Sequence, residues 1–212
     1  MPEQVWLNAP RRITHAEHKL TQLALAQELG FTTPTTTVSN RWGPIKESLP
    51  EAVIFKPTYA LFYSEDQMKL LYTTPFSNPT ELPTGGNPYP GFWQSFISKG
   101  REWRITVVGD ETFDAAIYTD SSARDDWRKH QLEAKVEFRR GIFPEDQKEK
   151  CFQYLGRLGL RFGAFDFIEG EEGNITFLEC NANGQYGWLE DELGFPISDA
   201  ITDELTKIAR GA

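Results

Sequence analysis

The stretch from Gly163 to Gly187, Gly-Ala-Phe-Asp-Phe-Ile-Glu-Gly-Glu-Glu-Gly-Asn-Ile-Thr-Phe-Leu-Glu-Cys-Asn-Ala-Asn-Gly-Gln-Tyr-Gly, constrains this chain most. Two apolar runs, 164–168 and 175–178, flank a turn rich in Glu and Gly, which spells a β-hairpin. Glu179 and Asn181 are two apart and share one face of the second strand. A turn centred between Glu172 and Gly173 sets Asp166 opposite Glu179. Two carboxylates and an amide oxygen then converge. Like charges placed opposite each other destabilise a sheet unless a cation sits between them. Oxygen ligands without imidazole or thiolate suit magnesium carrying phosphates. The alternative is a hairpin whose carboxylates point to solvent.

With 212 residues the chain makes one large domain or two small lobes. A net charge of -9 argues against a broad nucleic-acid footprint, while leaving room for a small cationic pocket. No apolar run is long enough to span a membrane. The start, Met-Pro-Glu-Gln-Val-Trp, lacks the charged-then-apolar pattern of a signal peptide. Cys151 and Cys180 are the only cysteines, so no disulfide framework is implied and a reduced, cytoplasmic protein is expected. Cys180 lies between Glu179 and Asn181, and alternation points it to the opposite face as a small core residue.

Periodicity predicts a helix over 12–29, with Leu20, Leu23, Leu25 and Leu29 on its apolar face and Gly30 as its stop. A strand follows at 35–39, a short helix ends at Leu49, and strands run over Ala52–Lys56 and 68–73. Residues 74–91 are rich in Pro, Gly and Asn and read as a loop, a seam between lobes. Its aromatics Phe76 and Tyr89, with Phe92 and Trp93 beyond, offer a contact surface. Further strands fall at 92–97, 102–109, 112–118 and 132–138, and helices at 144–158, 186–193 and 198–209. Hairpin-connected strands grouped between helices predict an α+β fold, divided here into lobes 1–93 and 94–212.

Several other residues bear chemistry. Lys56 ends the apolar strand Val53-Ile-Phe-Lys56, where a buried ammonium needs an anion such as phosphate or must snorkel to water. Lys19 lies in the first helix and reads locally as an exposed lysine. The run Phe92-Trp-Gln-Ser-Phe-Ile97 is a core strand or one whose free backbone edge takes a purine. Glu102 and Arg104 share a strand face, as a weak ion pair or as site residues. Arg128 falls in a charged segment that reads as surface. No nucleophile motif and no P-loop are present.

Taken in order, these segments resemble the ATP-grasp ligases. That family carries a lysine in an early helix, a second at a strand end, a Gln/Glu-x-x-Ile hinge, an acidic residue and an arginine in a strand, and a terminal Asp…Glu-x-Asn metal set. Here these are Lys19, Lys56, Gln94 to Ile97, Glu102 with Arg104, and Asp166, Glu179 and Asn181. Phe177-Leu-Glu-Cys-Asn-Ala-Asn-Gly-Gln-Tyr-Gly-Trp188 and Asp126-Trp-Arg128 are similar to the peptide-modifying members, the microviridin-type cyclases among them.

The resemblance implies two α+β lobes gripping ATP between antiparallel sheets, with Mg2+ on Asp166, Glu179 and Asn181. Lys19 and Lys56 take phosphates, Gln94 with the backbone of Phe96 and Ile97 takes adenine, and Glu102 takes the ribose. Arg128 and Arg104 serve catalysis. The implied reaction joins a carboxylate to an amine or hydroxyl through an acylphosphate, on peptide side chains or on a small carboxylate and amine. A nucleotide-binding module without turnover is the alternative. The first family helix starts near the N-terminus, where a pre-ATP-grasp domain is usual, so a homodimer or partner chain is expected to complete the site. The family's Gly-rich lid has no counterpart in Pro57–Asp66, which holds no glycine.

Overall fold

Alternating apolar and polar residues along 101–119 and 162–181 build the sheet that carries the candidate site. The computed structural model describes residues 5–49, 51–56, 61–64, 67–70, 74–76, 86–98, 100–119 and 136–211. In chain order the elements are α1 (Pro10–Ala16), α2 (Lys19–Glu28), β1 (Thr36–Arg41), α3 (Trp42–Ser48), β2 (Val53–Lys56), β3 (Leu61–Ser64), β4 (Gln67–Leu70) and β5 (Thr74–Phe76). Then follow β6 (Gly86–Ser95), β7 (Arg101–Val108), β8 (Glu111–Thr119), β9 (Val136–Arg140), α4 (Glu145–Leu158), β10 (Phe162–Glu169), β11 (Ile175–Asn181), α5 (Gly187–Leu193) and α6 (Ile197–Arg210). The fold is α+β, as expected. No helix among the described residues is long and apolar enough to cross a membrane.

The chain divides into two compact units. One is Met1–Thr33 with Lys99–Tyr118 and Glu137–Ala212; the other is Pro34–Ser98 with Thr119–Val136. This differs from a cut between 93 and 94. The N-terminal helices belong with the C-terminal half because Leu23, Leu25, Ala26 and Phe31 enter the same core as Phe165, Phe167 and Phe177. Phe31 lies 5.4 Å from the Phe177 ring and 5.6 Å from that of Phe167.

The first unit holds a five-stranded sheet in the order β11-β10-β7-β8-β9. Gly109, at φ 56, makes the two-residue turn between β7 and β8. α4 packs Cys151, Tyr154 and Leu155 against the core. Both cysteines are free and buried, and burial pushes the Cys180 thiol well up, so neither is a ready nucleophile. On the outer edge, β11 meets side chains and a loop in place of a strand. The Phe177 N–H donates to Thr32 O at 2.8 Å, and the buried Gln22 and Asn8 amides bond to Cys180 and Ala182.

The expected single helix over 12–29 is two helices. His18 is extended, at φ -75 and ψ 108, so α2 begins afresh at Lys19. This break turns Leu20 outward, 47% exposed, in place of its expected inward face.

The second unit holds a four-stranded sheet, β1-β6-β2-β5, and the hairpin β3-β4. Its core is Ile45, Leu49, Val53 and Trp93, with Trp42, Phe55 and Phe76 against it. Part of the stretch expected as loop is therefore strand: β5 and the first half of β6 lie within 74–91. Prolines 88 and 90 cannot donate to a ladder, and the pairing with β1 jumps from Ser39↔Gly91 to Arg41↔Gly86 across them. Phe92 and Trp93 are 5% and 3% exposed, which removes both from the expected contact surface. Within the glycine-free segment, Leu61–Ser64 is β3, which pairs with β4 through Ser64↔Gln67.

A bidentate ion pair ties the end of β10 to β7. Arg101 Nε and Nη2 donate to Glu169 at 2.8 Å each, and Trp103 Nε1 donates to Glu169 Oε2 at 2.6 Å. The Arg101 guanidinium holds the Glu169 carboxyl below the usual carboxylate range. Stability from such a group is present above its unfolded pKa and is lost as pH falls through its folded value. Glu169→Gln is thus expected to cost stability at neutral pH. The gap to wild type starts to close as pH falls below 4.5 and vanishes once Glu169 protonates in the fold. Urea unfolding of both proteins across the acid range measures it, and a gap constant with pH would refute it.

Candidate active site

Three neighbouring strands bring the site together. Arg104 on β7 pairs in register with Asp166 on β10, and Asp166 with Glu179 on β11. Ile105, Phe165 and Phe167 are fully buried in the core, so the intervening Arg104 and Asp166 point to the other face.

Glu179 reaches that face by a device that simple alternation lacks. Near the turn the partners are Glu169↔Ile175, Ile168↔Thr176 and Phe167↔Phe177, which centres the turn on Glu172. A register shift follows, and the pairs become Asp166↔Glu179, Phe165↔Cys180 and Ala164↔Asn181. Leu178 is the extra residue of a β-bulge. Phe177 and Cys180 both enter the core, three apart, while Glu179 and Asn181 face Asp166. Without that extra residue Glu179 would follow Phe177 inward. The expected partnership of Asp166 and Glu179 is present; the expected partnership closer to the turn is one residue off.

Each carboxylate has its own cation. Arg104 Nη1 donates to Asp166 Oδ1 at 2.8 Å and Oδ2 at 2.9 Å. Lys19, at the first position of α2, places Nζ 3.3 Å from Glu179 Oε2. Asn181 Nδ2 donates to Asp166 Oδ2 at 3.1 Å and reaches Glu179 Oε1 at 3.5 Å. Arg104 and Asp166 are 11% and 15% exposed, so this pair is shielded from solvent, whereas Lys19 is 34% exposed. The four charges cancel, which answers the repulsion expected between the carboxylates.

Gly184 closes over Arg104. A Cβ there would lie 2.6 Å from Ala164 Cβ and 3.1 Å from Arg104 Nη2. The adjoining Gln185 O accepts from Arg104 Nη2 at 3.2 Å. Glycine in Asn183-Gly184-Gln185 is therefore required by close approach.

The donor set suits a hard cation. Among the described residues no three His, Cys, Asp or Glu gather for a metal. Two carboxylates and an amide make an incomplete cage, which fits magnesium completed by phosphate oxygens better than an all-protein site. A half-turn of the Asn181 amide presents Oδ1 to the space between the carboxylates.

The remaining expected residues lie elsewhere. Glu102 is on β7, on the face of Arg104, and pairs in register with Ile168. Lys56, Gln94, Phe96 and Ile97 belong to the second unit. Lys56 is half-buried at the end of β2. Gln94 is 2% exposed; its Nε2 donates to Thr36 Oγ1 at 2.9 Å, and its buried Oε1 has no hydrogen-bond partner. The Phe96 N–H donates to Ala52 O at 2.9 Å, so that donor is spent within the unit. Arg128 lies outside the described residues. Gln22 and Asn8 leave no local signal, because a polar residue in a helical or N-terminal segment reads as solvated.

No protein-family model matches this chain, and no curated protein does. Solved structures do. A ligase from Chryseobacterium gregarium, a RiPP-associated ATP-grasp ligase in complex with ADP and a leader and core peptide, is 26% identical with a TM-score of 0.84, over 95% of this chain and 62% of that one. The macrocyclase MdnC from Microcystis aeruginosa, bound with precursor peptide MdnA, is 28% identical with a TM-score of 0.78, over 97% and 65%. The macrocyclase MdnB from the same organism is 30% identical with a TM-score of 0.73, over 94% and 62%. The chain thus spans less than two thirds of the length of each. By fold and by sequence likeness together, the chain has the ATP-grasp fold and is similar to the peptide-modifying ligases that share it.

Proposed function

We propose that this chain is an ATP-dependent carboxylate ligase that forms an amide or ester on side chains of a peptide. The observation that carries the reading is the group on one sheet face: Asp166, Glu179 and Asn181 with Lys19 and Arg104 bonded to the carboxylates. It stands in a fold shared with a ligase solved with ADP and its peptides. Asp166, Glu179 and Asn181 hold Mg2+, which supplies charge neutralisation for phosphoryl transfer.

The chain's own residues do the rest. Lys19 and Lys56 hold the α- and β-phosphates as point charges. The Phe96 carbonyl and the Ile97 N–H read the adenine edge, with Gln94 behind them, and Glu102 takes the ribose hydroxyls. A substrate carboxylate oxygen attacks the γ-phosphorus, the bond to the β,γ-bridging oxygen breaks, and ADP leaves. Arg128, with Arg104, stabilises the charge on the phosphoryl in flight. An amine or hydroxyl then attacks the acyl carbon of the acylphosphate, the C–O bond to phosphate breaks, and the proton leaves with the phosphate. Orientation suffices for so reactive an acyl group. The reading includes a homodimer or partner chain, which light scattering tests, and a cytoplasmic setting.

Lys56→Ala is expected to weaken ADP binding by about 1–3 kcal/mol, the scale of charge-assisted hydrogen bonds. Equal affinity by calorimetry removes Lys56 from the site. A nucleotide-binding module without turnover is favoured by the glycine-free hairpin β3-β4, which has no glycine amides to lay on phosphates. ADP release driven by carboxylate-rich peptides decides for the ligase; tight binding with no release decides for the module.

A further inference from the structure

Among the described residues β11 is the outer strand of its sheet, and no described strand bonds the backbone on its far side. Two buried side-chain amides take that place. Gln22 Oε1 accepts from the Cys180 N–H at 3.0 Å, and Gln22 Nε2 donates to Cys180 O at 2.8 Å and to Ala16 O at 2.7 Å. Asn8 Nδ2 donates to Ala182 O and Phe162 O at 2.8 Å each, and Asn8 Oδ1 accepts from the Arg161 N–H at 2.9 Å. Gln22 is 5% exposed and Asn8 8%. A buried amide left unpaired is costly, so both geometries are enforced.

The bonded positions matter because of where they fall. Cys180 separates Glu179 from Asn181, and Ala182 follows Asn181. The bulge at Leu178 lies immediately before Glu179. A bulge in an outer strand is a place where register slips, and a slip of one residue exchanges the two faces. Gln22 bonds both backbone groups of Cys180, which fixes the strand just past the bulge. It also stands one helical turn after Lys19, so α2 places the Lys19 ammonium on Glu179 and the Gln22 amide on Cys180 at once.

We infer that Gln22, assisted by Asn8, is a positioning residue for the metal–phosphate site: it keeps the extra residue at Leu178 and so keeps Glu179 and Asn181 facing Asp166. The inference rests on the proposed reading of that site.

The test uses Gln22→Met, which keeps length and loses the hydrogen bonds. ADP affinity is measured by calorimetry with saturating Mg2+ and with a chelator, beside thermal stability. A control, Ile197→Val, loses a methyl group from a fully buried position in a different core cluster. In Gln22→Met the gain in ADP affinity on adding Mg2+ is expected to fall by about tenfold or more, while chelated affinity moves by less than about twofold, the range for groups that orient metal ligands. Ile197→Val keeps the full Mg2+ gain. If Gln22→Met does not fold, Gln22→Glu is read instead; it keeps the acceptor for Cys180 N–H, loses both donors, and is expected to lose part of the gain. An unchanged Mg2+ gain in the Gln22 variant overturns the inference, as does an equal loss in Ile197→Val. Wild type showing no Mg2+ gain sinks the underlying reading, and the inference with it.

Discussion

Glu179→Gln is expected to cut magnesium-dependent turnover by on the order of 100-fold or more while leaving the protein folded. The substitution keeps shape and removes one of two carboxylates that suit the metal, where charge neutralisation is worth several kcal/mol to the transition state. Its structural cost is small. Glu179 meets Lys19 in a partly exposed ion pair, and such pairs contribute under about 1 kcal/mol. Steady-state ADP release and urea unfolding, run on the same preparations, separate the two effects. Turnover at the wild-type rate would remove the metal assignment; a collapsed fold would recast Glu179 as a structural residue.

Asp166→Ala should lose turnover and stability together. Arg104 is 11% exposed and directs Nη1 to both Asp166 oxygens. Removing Asp166 leaves that guanidinium buried beside Gln185 O, and stranding one member of a buried pair costs about 3–5 kcal/mol. Replacing both, as Arg104→Met with Asp166→Leu, should restore most of the stability, because two apolar groups replace two charges. Turnover should not return with it. A single variant as stable as wild type would show that the pair is not shielded as its geometry indicates.

The sequence revealed the hairpin and the partnership of Asp166 with Glu179, but by a route the fold takes differently. Alternation from a turn between Glu172 and Gly173 reaches Asp166↔Glu179; the actual turn is centred on Glu172, and the bulge at Leu178 restores the same pair. A bulge leaves no mark in hydrophobic pattern, since Phe177-Leu178 reads as two strand residues of either face. The break at His18 was equally hidden, because the 12–29 periodicity runs through it. Cys180 was legible as a core residue, and the buried thiol agrees. β5 and the start of β6 were obscured by prolines, which a strand tolerates where its ladder skips. Gln22 and Asn8 could not be found from local pattern. Their partners are Cys180 and Ala182, more than a hundred residues away in sequence, and only the edge position of β11 makes those backbone groups need a donor or acceptor.

Asp166, Glu179 and Asn181 are expected to share one cation when nucleotide is bound. Crystals grown with ADP and Mn2+, measured at the manganese absorption edge, decide this. An anomalous peak is expected within bonding reach of Asp166 and Glu179, with Lys19 released from Glu179. Bound ADP with manganese held elsewhere, and Lys19 still paired to Glu179, would show that these three residues do not form the metal site.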